Sequence, residues 1–336
     1  MLDEIDWGSL SHAYGPATDT PVHLAALSST NPDARNAALD HLDTAVLHQG
    51  FPESATAPAT RVIVQLLARG EVTSEVRDAL LEFLGWVAEA TTEASKVAHC
   101  ADLVAPLQQA VKESYPVVVS FLDNADQSQR KRAVQAAVSH VKTSALADQR
   151  TALAARLRSW AADPSEQRAY WVRQLGELDN HTEQDLSDPD TDVRICTALA
   201  PSLAESATAT NIIVAALADV ADRGIPEPDL YTLSELIDAA IARVDDFERI
   251  AAPAQAIIRQ ADWTGFDTTW GPLLLAAFDT PYNEQTKLST AQRDTLAALV
   301  VNPRIWNYQI GNSSLVFRRA GLPFDREACD RITEQL

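Results

Sequence analysis

Cysteine is scarce in this chain: Cys100, Cys196 and Cys329 are the only three among 336 residues. They are far apart and odd in number, and no two stand as CxxC, so neither a disulfide framework nor a cysteine-based zinc site is indicated. That usage suits a reducing cytoplasm. Glycine is also thin, at 11; no P-loop and no dinucleotide fingerprint occurs, and neither does a nucleophile elbow or an HExxH pair. No catalytic residue and no cofactor is expected. Positive charge is in short supply, with 27 Lys and Arg against 47 Asp and Glu, a net charge of −20. A polyanion repels phosphate, which disfavours nucleic acid and anionic membranes as partners and favours a basic protein. Long apolar runs are missing too. None approaches the ~20 residues that cross a bilayer, and the opening Met1-Leu2-Asp3-Glu4 has no apolar signal core. Lysine occurs only at Lys96, Lys112, Lys131, Lys142 and Lys287; with abundant alanine, this arginine bias points to a GC-rich bacterial genome.

What the chain has in abundance is helix formers. Alanine and leucine dominate, and both lose little freedom in a helix. Asn31-Pro32-Asp33 reads as a capped helix start, followed by Ala38, Leu42, Ala45 and Val46 on one face and Gly50 as a stop. The next helix carries Val62, Ile63, Leu66 and Leu67 and stops at Gly70. Ser74 is the expected cap of the one after it, with Val76, Leu80, Leu81, Leu84 and Val87 inward and Trp86 on its apolar side. Pro106 is expected to bend or split the following helix, and Tyr115-Pro116-Val117-Val118-Val119 to start a buried one. Further helices are expected through Trp160, from Asp163-Pro164 through Trp171, and over about 209–223, 229–243, 246–260, 269–279 and 289–301. Alternating strand patterns are absent, so no sheet is expected.

The segment Leu186-Ser187-Asp188-Pro189-Asp190-Thr191-Asp192-Val193-Arg194-Ile195-Cys196 resembles the second helix of a HEAT repeat. Asp-Pro makes a tight turn and a capped start, and the small residues that follow let helices stack closely. In such repeats an aspartate and an arginine pair between neighbouring units, which implies structural roles for Asp188, Asp192 and Arg194. Echoes stand at Asn31 to Arg35, Thr73 to Arg77, Asp126 to Arg132 and Asp163 to Arg168. Arg35 and Arg77 lie 42 positions apart, inside the ~40–47-residue period of HEAT and armadillo arrays. Later spacings are irregular. The expected fold is all-α, an α-α superhelix of stacked helix pairs. Residues 1–30 form a leader or cap, 31–301 the repeat array and 302–336 a C-terminal capping segment.

A second resemblance lies in the leader. Trp7, His12-Ala13-Tyr14-Gly15, Asp19, Pro21, His48-Gln49-Gly50 and Ala55-Thr56-Ala57-Pro58 resemble the opening of an actinobacterial group of HEAT-like proteins that includes suspected immunity proteins of toxin systems. Phe51 departs from that pattern, which has a small polar residue after the glycine. The resemblance implies a cytoplasmic protein that binds a protein partner, a basic toxin such as a nuclease, through an acidic surface. A general scaffold or adaptor is the alternative. Some HEAT-like proteins are DNA glycosylases, a third reading that the charge opposes.

The candidate partner-binding residues are His12, Tyr14, His48 and Gln49 in the leader pattern, with Trp263 and Trp270, which flank Gly265 and are expected to be partly exposed. No metal site is expected. His41 and His48, seven positions apart, stand about 10 Å from each other along a helix, too far to share one ion. Asp188, Asp190 and Asp192 alternate as in a calcium loop, but its glycine and distal glutamate are missing.

Overall fold

The computed structural model describes residues 2–124, 126–163, 167–181, 183–223, 230–285, 287–309 and 311–334. Among them are sixteen α-helices and one two-stranded hairpin of two residues per strand. None of the helices is long and apolar enough to cross a membrane. The chain divides into two compact units, Met1–Ser159 and Trp160–Leu336, a boundary that no composition shift marks.

The first unit holds α1 (Thr20–Ala26), α2 (Pro32–His41), α3 (Thr56–Arg69), α4 (Ser74–Ala94), α5 (Ala101–Ser120) and α6 (Gln127–Lys142). A seventh helix, α7 (Arg150–Ala161), runs through the division. The second unit holds α8 (Arg168–Glu177), α9 (Thr191–Ala198), α10 (Ala207–Arg223), α11 (Leu233–Arg243), α12 (Ala251–Gln260), α13 (Trp270–Ala277), α14 (Thr290–Val301), α15 (Gly311–Arg319) and α16 (Arg326–Thr333). In the first unit α3 packs on α5, and α4 on both α2 and α6. In the second, α10, α12, α14 and α16 form one row and α11, α13 and α15 another. These helices thus rest on the next but one, while α9 packs on its immediate neighbours α8 and α10; the pattern is that of stacked pairs, an all-α, α-α superhelical arrangement within each unit. Where α4 meets α6, Gly85 lets the backbones close in. A Cβ built on it would stand 3.3 Å from Ala136 Cα.

The helix starts follow their capping chemistry. Asp33 N donates to Asn31 Oδ1 at 3.0 Å, Ser128 N to Asp126 Oδ1 at 2.9 Å and Asp192 N to Asp190 Oδ1 at 2.9 Å. One helical turn past each cap, an arginine reaches back over the turn. Arg35 donates to Ser29 O (3.0 Å), Arg130 to Asn124 O (2.8 Å) and Arg194 to Asp188 O (2.5 Å). Arg168 does the same to Ala161 O at 3.0 Å. Arginine recurs after the caps because its fork fastens each inter-helix turn to the helix that follows it. An aspartate–arginine pair joins two successive helices: Asp188 lies 2.7 Å from Arg168, at the start of the preceding helix. That contact holds the Asp188 carboxyl below its ordinary range, against the upward push of burial. Asp192 accepts from Tyr231 Oη at 3.3 Å. Arg77 departs from the pattern, bonding Gln129 Oε1 at 3.2 Å and lying over the Phe121 ring.

Several expectations need correction. Thr73, not Ser74, caps α4. Pro106 does not split its helix, and Tyr115–Val119 is not a helix start: α5 is continuous, with Pro106 and Pro116 inside it. Both prolines lie on the solvent side, where water satisfies the carbonyls they release. Trp86 is not core but 40% exposed. Among the described residues, the hairpin is the one stretch of sheet. Strands β1 (Ser11–His12) and β2 (Gly15–Pro16) pair antiparallel across Ala13-Tyr14. The expected start of a helix at Asp163-Pro164 falls partly on residues 164–166, outside the described residues.

At the C-terminal end, Trp306, Phe317 and Phe324 pack together, Phe317 5.0 Å from Trp306 and 5.2 Å from Phe324 between ring centres. Arg326 donates to Val300 O at 2.6 Å. Arg318, Arg319 and Arg331 are exposed.

Candidate functional site

The residues of the leader pattern meet at one end of the first unit. Backbone bonds hold the hairpin there: Ala13 N donates to Ala45 O and Ala55 N to Ser11 O, both at 3.0 Å, and Ser11 N donates to Ser54 Oγ at 2.8 Å. Thr56 Oγ1 donates to Val46 O at 2.7 Å and accepts from Glu53 N at 2.9 Å. Leader, Ala45–Leu47 and the Ala55-Thr56 start of α3 are therefore one braced assembly, which gives their joint occurrence a physical reason.

Between α2 and α3 the chain loosens into a π-turn, Leu42–Val46, closed by Leu47 N donating to Leu42 O at 3.0 Å. Gln49 and Gly50 then adopt left-handed conformations, φ 52° and 78°. Gly50 does so freely, whereas Gln49 does so against its Cβ, at a cost of about 1–2 kcal/mol. That turn leaves the Gln49 side chain exposed on the lining of a pocket of about 600 Å³. Leu47, Phe51, Trp86 and Val97 supply its apolar wall, and Asp43, Glu89 and Glu93 its acids. Phe51 is 65% exposed and Trp86 40%, and Val97 is exposed as well. Trp86, Glu89 and Glu93 fall on one stripe of α4, and all three are exposed. Glu89 accepts from Ser139 Oγ at 2.8 Å, and Glu93 pairs with Lys96 at 2.7 Å.

Beneath the hairpin lies a histidine cluster. His12 is buried. Its Nδ1 accepts from Tyr14 N at 3.1 Å, so Nε2 carries the proton and donates to Asp19 Oδ1 at 2.9 Å. Burial pulls the Asp19 carboxyl up, but the His12 hydrogen bond, a backbone bond and the nearby imidazoles outweigh it, leaving the carboxyl below its ordinary range. His41 is also buried, with Nε2 3.0 Å from Thr20 Oγ1 and its ring stacked on His23 at 4.1 Å. Burial, and secondarily His23, push it down to about 4 against the pull of Asp19.

Of the residues singled out from sequence, His12, Tyr14, His48 and Gln49 are thus brought together. Tyr14 is exposed, and its ring centre lies 5.7 Å from that of half-buried His48. Trp263 and Trp270 belong to the other unit. Trp263 is 39% exposed, but Trp270 is wholly buried, its ring against Phe317 and its Nε1 donating to Asp262 O at 3.0 Å. It is no surface anchor. The turn residues Asp188, Asp192, Arg194, Arg35 and Arg77 make the intramolecular contacts given above. Sequence reasoning missed the pocket. The available signal was the Trp86–Glu89–Glu93 spacing, which puts two acids in line with an aromatic on a helix, together with Phe51, where the leader departs from its pattern. It also missed the meeting of His12, Asp19 and His41. No protein-family model matches the chain, and no curated protein matches it closely enough to count as a relative.

Proposed function

We propose that this chain is a non-catalytic, cytoplasmic binding protein, and that its pocket takes an apolar side chain from a segment of a basic protein. The observation that carries the reading is that exposed Phe51, Trp86 and Val97 line one pocket together with Asp43, Glu89 and Glu93. Exposed aromatics in such a setting are typical anchors. Acids beside them select lysine and arginine on the partner and speed encounter. Gln49, held in an unfavourable backbone conformation at the same pocket, supports a role in contact, since such strain collects at functional sites.

Within this reading the specific role is that of an immunity protein that neutralises a cationic toxin such as a nuclease. The net charge of −20 and the leader resemblance support it. The test is co-purification from the native host, followed by binding measurements with the isolated partner. A basic protein held in stoichiometric amount is expected, its affinity falling about tenfold or more in Trp86→Ala or Phe51→Ser and its association rate falling with salt. A partner that binds both variants as tightly as the wild-type chain, or a salt-dependent shift of labelled DNA with no protein partner, would refute it.

A further inference from the structure

We propose that His12, Asp19 and His41 form a binding site for a divalent transition metal of the zinc class. Each residue offers one ligand atom, and the three atoms lie within 4.8 Å of one another. They come from three separate pieces of chain: His12 from β1, Asp19 from the start of α1 and His41 from the end of α2. Two imidazoles with one carboxylate is a ligand set for zinc, iron or cobalt rather than for calcium or magnesium, which take oxygen.

The distances are workable. Zinc bonds nitrogen and carboxylate oxygen at about 2.0–2.2 Å, so ligand atoms around a tetrahedral ion stand about 3.4 Å apart. His12 Nε2 and Asp19 Oδ1 are already 2.9 Å apart. His41 has to approach by little over about 1 Å, within reach of a side-chain rotation. Both imidazoles are buried, while the Asp19 side chain is 55% exposed. An ion would therefore enter from the Asp19 side and keep a water in the remaining position.

Proton accounting is straightforward. His12 now carries its proton on Nε2. On binding, the metal takes the Nε2 lone pair, and the ring proton is carried on Nδ1 instead. The ring stays neutral and its net proton count is unchanged. The Tyr14 N–H then faces another N–H and loses its acceptor, so the hairpin has to shift to re-satisfy both donors, and binding is weaker by at least about fivefold. The site is separate from the pocket proposed to hold a partner, and its test needs no partner, so either reading can fail alone. What the ion would do is tie the hairpin that carries Tyr14 to the end of α2.

The experiment is a titration of the full, chelator-stripped chain with zinc chloride and, separately, magnesium chloride, followed by calorimetry. One zinc per chain and no magnesium is expected, with affinity at least about tenfold weaker in His41→Gln and in Asp19→Asn and unchanged in His99→Gln, a control at an exposed position. Loss of folding in a variant is covered by a measurement on the wild-type chain alone. In nitrogen-detected NMR, zinc should shift the ring resonances of His12 and His41, and leave His99 and His181 in place. No zinc uptake, uptake that ignores both substitutions, or ring shifts confined to other histidines would each overturn the site.

Discussion

Acidification should cost the first unit about 3 kcal/mol through one imidazole, that of His140. The ring is fully buried in α6. Its Nδ1 lies 2.6 Å from Ala136 O and its Nε2 2.7 Å from Ser114 Oγ. A carbonyl only accepts, so Nδ1 holds the proton and Nε2 receives the Ser114 hydroxyl. The neutral ring is completely bonded. Burial pushes its pKa from 6.5 to about 4, and the Ala136 bond resists only weakly. In the unfolded chain the ring titrates near 6.5. The contribution is therefore whole above that value and is lost as the pH falls toward 4, because the unfolded chain takes up a proton that the fold refuses. At 1.36 kcal/mol per pH unit, the interval between 6.5 and about 4 amounts to about 3 kcal/mol. The assay is urea unfolding at pH values stepped from neutral to about 4.5, comparing wild type with His140→Leu. Leucine leaves no orphan, since Ser114 Oγ can donate to Val111 O, 3.0 Å away. The variant should show a pH dependence flatter by most of those 3 kcal/mol. Equal slopes in both proteins would refute the reasoning. His41, lowered for the same reason, acts in the same direction and sets part of the slope that remains. Asp19 and Asp188, held below the ordinary aspartate range, and Glu113, held below the ordinary glutamate range, contribute stability that is lost only at lower pH.

Two further outcomes test the packing. Gly271→Ala should destabilise the second unit by about 2–3 kcal/mol or more, because the new Cβ would stand 1.7 Å from Phe266 O; a melting temperature equal to wild type would contradict this. Trp270→Ala should cost about 3–5 kcal/mol and Trp263→Ala far less, since the first ring is wholly buried and the second 39% exposed; thermal unfolding of the two variants side by side reads the difference.

The helix starts and stops were legible because they rest on local chemistry. Asn31 and Gly70 each need only the adjoining residues to cap or end a helix. What escaped depends on residues distant in the chain. Periodicity placed Trp86 beside an apolar face but could not say that the ring would stay exposed. Pro106 reads as a bend or split and Pro116 as part of a helix start because the sequence does not tell which side of α5 meets water. The hairpin exists because Ala45, Ser54 and Ala55 supply its outer hydrogen bonds, and no pattern within residues 11–16 signals that. His12, Asp19 and His41 converge only once α1 and α2 have folded against the leader.

Because most helices rest on a neighbour one or two places away, helix packing is made between stretches within about two helices of each other in the chain. Such an arrangement asks for little long-distance search during folding, and topologies of this kind fold quickly. It also confines damage. A flaw in one helix pair is felt by the pairs on either side and fades beyond them, so a gene of this type can gain or lose a pair, or let one drift, while the distant end keeps its shape.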